Sequence, residues 1–112
     1  MSVRVPGATV SDDALLSIVR GAVGRVAGAR IDTPGRVARV LPGRRNPVEW
    51  QAGDASISFD VDIAAGYGRM LPQTAAAVRS AICAAVEQMT GLRVLAVDIT
   101  VTGLDREEEG QR

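Results

Sequence analysis

The sequence predicts an α+β domain of two layers, in which two helices cover one face of a small mixed three-stranded sheet in the order α-β-β-α-β. Alternating apolar residues mark strands over 48–51, 57–63 and 94–101. Apolar residues spaced three or four apart mark helices that begin near Ser11 and Pro72. With 112 residues, we expect one domain over residues 1–104 and a flexible charged tail over 105–112.

The first helix is expected to begin at Ser11, whose hydroxyl can cap exposed amides. Asp12 and Asp13 follow, and the helix dipole favours negative charge in this first turn. The expected apolar stripe consists of Leu15, Ile18, Val19, Ala22, Val23 and Val26.

A β-hairpin is expected next, because the turn pair Gly53-Asp54 separates two alternating segments. In the second strand one face is apolar and therefore buried, with Ile57, Phe59, Val61 and Ile63. The other face carries Ser58, Asp60 and Asp62 and is expected to contact water.

The second helix is expected to begin with Pro72, since proline suits the first turn, and to end at a left-handed Gly91. Its predicted apolar stripe is Ala75, Val78, Ile82, Ala85, Val86 and Met89. In the last strand, Leu95, Val97, Ile99 and Val101 are predicted to share one face. A helix between two strands implies a parallel pair with a right-handed crossover.

Composition narrows the possible chemistry. The chain has no His and one Cys, so neither a zinc site nor a His-dependent catalytic triad is expected. We expect no cofactor and no small-molecule substrate, and Cys83 is expected to pack as a small apolar residue. Residues 1–10 lack the apolar core of a signal peptide, and no stretch is apolar enough to span a membrane, so a cytoplasmic protein is expected.

Charge is distributed unevenly. Residues 1–50 hold 8 Arg and 4 acidic residues, a balance of +4, whereas residues 51–112 hold 5 Arg and 9 acidic residues, a balance of −4. This asymmetry can orient the domain toward an anionic partner or a second copy of itself, or it can simply solvate the surface.

An ordered set of motifs extends from Gly53 to Leu104. Tyr67-Gly68 closes a long strand, and Leu71-Pro72 opens the helix that follows it. The segment 87–92, with sequence EQMTGL, ends that helix, and the strand 97–101, with sequence VDITV, completes the set. In its order and spacing, this set resembles the alkaline shock protein family of bacterial envelope stress response proteins. The segment 10–28 fits the first helix of that family by position and pattern.

The resemblance implies a non-enzymatic cytoplasmic protein, peripheral at the inner face of the cell membrane. Members are associated with tolerance of cell-envelope stress; some are held by a small membrane anchor protein and form homo-oligomers. This chain departs from the pattern because it is not strongly acidic and because its segment 33–47 is rich in Arg and Pro.

Three groups of residues are candidates for an interaction surface. Tyr67 and Arg69 lie in a glycine-rich loop before a helix, where amides can hold an anion, although such a loop also suits any tight turn. Asp60 and Asp62 can run acid–base chemistry if they are buried, or they can bind a hard cation, but on a wet face an interaction surface is expected. The third group, which can contact phosphates or solvate a loop, is Arg36, Arg39, Arg44 and Arg45.

A KH-like RNA-binding module is the alternative, because such folds share the predicted order of elements. Their hallmark is a GXXG loop, and Gly21-Ala22-Val23-Gly24 matches its letters. These residues fall inside the predicted first helix, which is the wrong context for a loop. RNA readers also use aromatic platforms, for which only Trp50 and Tyr67 are candidates here.

Overall fold

The computed structural model describes residues 2–33 and 46–106 and confirms the α+β class. Its helices and strands follow one another as β1 (Ser2–Val5), β2 (Ala8–Ser11), α1 (Asp12–Gly24), β3 (Ala29–Ile31), β4 (Val48–Ala52), β5 (Ser56–Gly66), α2 (Leu71–Thr90) and β6 (Arg93–Asp105).

The main sheet is mixed and is centred on β5. Strand β6 runs parallel to β5 along one side, and β3 and β4 pair antiparallel with it along the other. The prediction of three strands was therefore one short, because β3 supplies a fourth. With only 3 residues, β3 carries too little alternation to stand out in the sequence.

Strands β3 and β4 act as two parts of one interrupted strand. The N–H of Asp32 donates to the carbonyl of Asp62 at 3.0 Å, and the N–H of Asp62 donates to the carbonyl of Pro47 at 2.7 Å. Both ends of the intervening segment therefore lie beside the same residue of β5.

The core lies between the helices and one face of the sheet. Ile57, Phe59, Val61 and Ile63 are all buried on β5, as their alternation predicts, and they form a single cluster with Leu15 and Val19 of α1 and Val78 and Ile82 of α2. Ser11 caps α1 as predicted, since its Oγ accepts from the N–H of Ala14 at 3.1 Å.

Strand β6 departs from simple alternation at two places. Ile57 lies opposite Val94 but Ser58 lies opposite Ala96, so Leu95 is an extra residue, and Thr102 is extra in the same way. The prediction that Leu95 shares the face of Val97 was wrong, because the bulge turns its side chain outward and leaves it 62% exposed. Val94 lies opposite the buried Ile57 instead.

Helix α2 ends in a hydrogen-bonded cap built from the motif 87–92. Gly91 adopts φ +77°, as predicted, and its N–H donates to the Glu87 carbonyl at 3.0 Å. Thr90 is buried because its hydroxyl donates to the Val86 carbonyl at 2.6 Å and accepts from the Leu92 N–H at 3.1 Å. Met89, which the sequence placed in the apolar stripe, is exposed instead.

An N-terminal hairpin, which the sequence analysis did not predict, joins β1 to β2. Pro6 and Gly7 form its turn, with Gly7 at φ +76°, and Val3 and Val5 join the core. Arg36, Arg39, Arg44 and Arg45 lie outside the described residues. So does the predicted charged tail, apart from Asp105 and Arg106.

Candidate functional site

The face of the sheet opposite the helices carries a row of carboxylates. Glu49 of β4 lies opposite Asp60 of β5, and Asp60 lies opposite Asp98 of β6. Side chains at such positions lie about 5 Å apart at Cβ, and like charges there are unfavourable. Glu49 is half-buried, whereas Asp60 and Asp98 are exposed.

Asp62 lies on the same face, opposite Thr100 of β6, and is half-buried. Alternation therefore predicts correctly that Asp60 and Asp62 share a side of β5. The described residues contain no group of three or more acidic or cysteine side chains arranged to hold a metal ion.

A groove borders this acidic row and has a volume of about 800 Å³. It runs along the whole of β4, with Ser2 and Val3 of β1 on one side and Asp60 and Asp98 on the other. Trp50, the only tryptophan, lines it and contacts Phe59 edge to face, with ring centroids 6.1 Å apart. The sequence analysis did not find this groove, because it depends on where the N-terminal hairpin packs.

Two polar bridges cross the opposite end of the same face. The Arg30 guanidinium donates to both carboxylate oxygens of Asp105, at 2.7 and 2.9 Å. The Thr102 hydroxyl donates to a carboxylate oxygen of Asp32 at 2.6 Å. The first bridge therefore joins β6 to β3, and the second joins β6 to the residue that follows β3, so both cross β5. The hydrogen bond from Arg30 lowers the pKa of Asp105, and the same bond raises the pKa of Arg30.

Small residues make these bridges possible. Ala64 is buried between the outer strands although it lies on the face away from the helices. A Cβ atom on Gly103 would lie 3.0 Å from the Asp32 carboxylate, which is tighter than ordinary contact. Sequence alternation alone gives no signal for these bridges, because they join residues 70 and 75 positions apart.

The loop after β5 is held by contacts within the fold. The Tyr67 N–H donates to the Asp105 carbonyl at 2.7 Å, and the Tyr67 ring lies 5.8 Å from the Arg106 guanidinium. The Arg69 side chain packs against Gly28, where a Cβ atom would overlap it. These contacts favour the structural interpretation of the loop over an anion site.

The described candidate residues do not form one site. Asp60 lies six positions before Gly66, the last residue of β5, which corresponds to about 20 Å along the strand, and Tyr67 follows Gly66. Asp60 therefore belongs with the groove, and Tyr67 and Arg69 belong with the far end of the sheet. Their role in an interaction surface stays a prediction.

Two other sequence features have clear positions. Gly21 and Gly24 lie in α1, with Ala22 and Val23 buried between them, so the GXXG letters do not form an exposed loop. Cys83 is a half-buried free thiol on α2. Burial raises its pKa, and the nearby Glu87 carboxylate adds to that effect. None of the helices in the described ranges has the length and apolarity needed to cross a membrane.

Comparison with known proteins gives a family and a structural likeness. Residues 7–106 match the model of the alkaline shock protein family, whose description is a cell envelope-related function. No curated protein matches the chain. A solved structure of a double variant of MamM-CTD has a TM-score of 0.51 and 17% sequence identity, covering 83% of this chain and 94% of that one. That identity supports a shared fold alone.

The family match spans both helices and five of the six strands in full, β2 to β6. It includes the capped helix end at 87–92 and the strand 97–101, which carry the resemblance in the sequence. The chain therefore belongs to the alkaline shock protein family.

Proposed function

We propose that this chain is a non-enzymatic interaction protein of the cell-envelope stress response. In this proposal it is cytoplasmic, docks to a small membrane anchor protein and associates with copies of itself. The match to the alkaline shock protein family, with its cell envelope-related function, carries the proposal. A separate anchor also agrees with the described part of the chain, whose helices cannot span a membrane themselves.

The surface of the domain supports binding rather than catalysis. The carboxylates of Asp60 and Asp98 are exposed on a sheet face, where they line an open groove rather than a closed cavity among the described residues. Acid–base chemistry by paired carboxylates usually relies on burial of at least one of them, and these two side chains are exposed. The same row of negative charge repels phosphate, which disfavours RNA binding through this face.

Affinity purification from the native host tests the proposal. The tagged chain is expected to sediment partly with membranes and to co-purify with a small membrane protein. Chemical crosslinking of the purified protein is expected to give a ladder of homo-oligomers. Recovery wholly in the soluble fraction, with no such partner, contradicts membrane docking.

The RNA-binding alternative predicts a different result from the same purified protein. Single-stranded RNA would bind with an affinity that falls steeply as salt is raised, in proportion to the phosphates contacted. Replacing Arg44, Arg45 and Arg69 with Ala would then abolish that binding. An electrophoretic mobility shift at low and high salt distinguishes the two functions.

A further inference from the structure

The groove beside β4 leaves one edge of the main sheet open. The N–H of Gly53 donates to the Ser56 carbonyl, and the N–H of Asp62 donates to the Pro47 carbonyl. In an antiparallel pair, every second residue of a strand bonds to its partner strand. Residues 47, 49, 51 and 53 therefore direct their backbone groups toward β5. The backbone groups of Val48, Trp50 and Ala52 therefore point into the groove. Strand β1 lines the groove through Ser2 and Val3 but pairs only with β2, and no backbone hydrogen bond joins β1 to β4 in the described part of the chain.

The other edge of the sheet is partly blocked. In the parallel pair of β5 and β6, Phe59 lies opposite Val97, and this register directs the Val97 carbonyl outward. The Nε of Arg79 on α2 donates to that carbonyl at 3.1 Å. A charged side chain bound at an edge hinders the addition of another strand. The β4 edge therefore offers the better site for an added strand.

Charge defines what the groove can accept. Its described lining includes Asp12, Glu49, Asp60 and Asp98 and no arginine. Three of these carboxylates lie side by side across three strands, an arrangement that is unfavourable without a cation. The half-buried Trp50 lies on the other face of β4, beside Phe59, and adds an aromatic surface to the groove.

We infer that the groove binds an extended, Arg/Lys-rich segment of a membrane protein, added as a strand beside β4. The backbone of the segment would pair with Val48, Trp50 and Ala52, and its cationic side chains would neutralise the acidic row. This inference rests on the proposed function, because cytoplasmic segments next to membrane spans carry an excess of Lys and Arg. It assigns membrane docking to one surface.

Direct titration tests the inference with a defined probe. The probe is an octapeptide of alternating Arg and Thr, and Trp50 is a built-in reporter because it is the only tryptophan. We expect the peptide to shift the Trp50 emission with a micromolar dissociation constant that rises with salt. A Glu-Thr octapeptide should not bind. A fully N-methylated Arg-Thr octapeptide keeps the charge but has no backbone donors, and it should bind at least about tenfold more weakly.

Variants of the protein test charge and backbone separately. D60N/D98N should weaken binding about tenfold, whereas D13N/D54N, which removes the same charge elsewhere, should leave it within about twofold. Ala52→Pro removes an outward N–H without touching the β4–β5 ladder and should weaken binding, with Ala52→Ser as its control. If Ala52→Pro fails to fold, the N-methylated peptide still tests the backbone contact.

Several outcomes would overturn the inference. One is equal binding of the N-methylated and unmodified Arg-Thr peptides. Another is equal binding of the Arg-Thr peptide by D60N/D98N and by the wild type. The third is that the wild type does not bind the Arg-Thr peptide even at low salt. If sedimentation shows that the wild type is a dimer and that the D60N/D98N variant is a monomer, the groove binds a second copy of this chain instead. If D60N/D98N captures the membrane partner as well as wild type does, the groove is rejected while the proposed function stands. If wild type captures none, the proposed function itself fails.

Discussion

At the scale of single residues, Gly28 has the most constrained position of the described glycines. Its φ of +79° lies in the left-handed region, and the Arg69 side chain occupies the space that a Cβ atom would need. Its carbonyl also accepts from the Gly66 N–H at 2.9 Å. Gly28 therefore fixes how the chain leaves α1 and how the loop after β5 packs on it.

Gly28→Ala is expected to destabilise the fold, by about 1–2 kcal/mol from the left-handed backbone alone and by more if Arg69 is displaced. Gly21→Ala is the matched control, since Gly21 lies in α1 with open space around it. It should stabilise the protein by up to about 1 kcal/mol, because alanine favours helix. Urea denaturation measures both changes. Equal effects of the two substitutions would show that Gly28 is not constrained in this way.

Alternation was sufficient to predict which residues face the core and which face water on β5. It correctly separated Phe59 from Asp60 and Asp62, because one strand without a bulge keeps a period of two. It did not identify Glu49 as the neighbour of Asp60, because that requires the register of the hairpin. It misplaced Leu95 because an extra residue shifts the period within one strand.

At the scale of elements, polar side chains tie the two outer strands together across β5. Arg30 on β3 binds Asp105 on β6, and the side chains of this ion pair are about half exposed, at 54% and 46%. Bidentate geometry makes such a pair more specific than an ordinary surface contact. The pair holds the last residue of β6 to the short β3.

This ion pair predicts a defined pH dependence. The hydrogen bond from Arg30 lowers the pKa of Asp105 in the folded state. The ion pair therefore stabilises the fold fully at pH values above the unfolded pKa of Asp105, near 3.8. This stabilisation is lost as the pH falls through the lower pKa that Asp105 has in the folded state. Asp105→Asn should therefore be less stable than wild type at neutral pH, and the difference should shrink below about pH 4.

Denaturation midpoints measured from pH 7 to pH 2 test this expectation. Asp54→Asn, which removes a carboxylate from the β4–β5 turn, is the matched control. A difference between wild type and Asp105→Asn that stays constant over the whole range would contradict the pairing.

Elements with strong local signals were predictable and those that depend on partners were not. Helix α2 was predicted, including its Gly91 cap, because proline and glycine punctuate it. The β1–β2 hairpin was missed although Pro6-Gly7 is a turn signal, because its strands have 4 residues each. Strand β3 gains its hydrogen bonds from β5, so a segment of that length is a strand only in context.

At the scale of the whole molecule, β3 and β4 meet at one residue of β5, and the Arg-rich segment 33–47 lies between them in the sequence. Asp32 and Pro47 both bond to the backbone of Asp62, so the end of β3 and the start of β4 lie beside the same residue of β5. The described core includes residues from both sides of the interruption, such as Ile31 and Val48. The described core is therefore continuous across β3 and β4.

Deleting residues 34–45, so that Thr33 joins Asn46, is expected to leave the fold intact. The change in unfolding free energy should be within about 1 kcal/mol, because loop length has a small entropic effect. Circular dichroism and thermal denaturation check this. A molten or unfolded product would show that the segment contributes to the core.

The same deletion removes Arg36, Arg39, Arg44 and Arg45 together. If the folded deletion variant still recovers the membrane partner, these arginines are not its binding surface, and the groove beside β4 is favoured.

The two extra residues of β6 have a consequence for how this strand can change in length. Adding or removing one residue in a regular strand exchanges its two faces, which would carry Asp98 into the core. At Leu95 and Thr102 the strand already holds a residue outside the pairing. A relative one residue shorter at either position can keep Val97, Ile99 and Val101 facing inward. The bulges thus mark where the strand can lose a residue in evolution while its buried face is preserved.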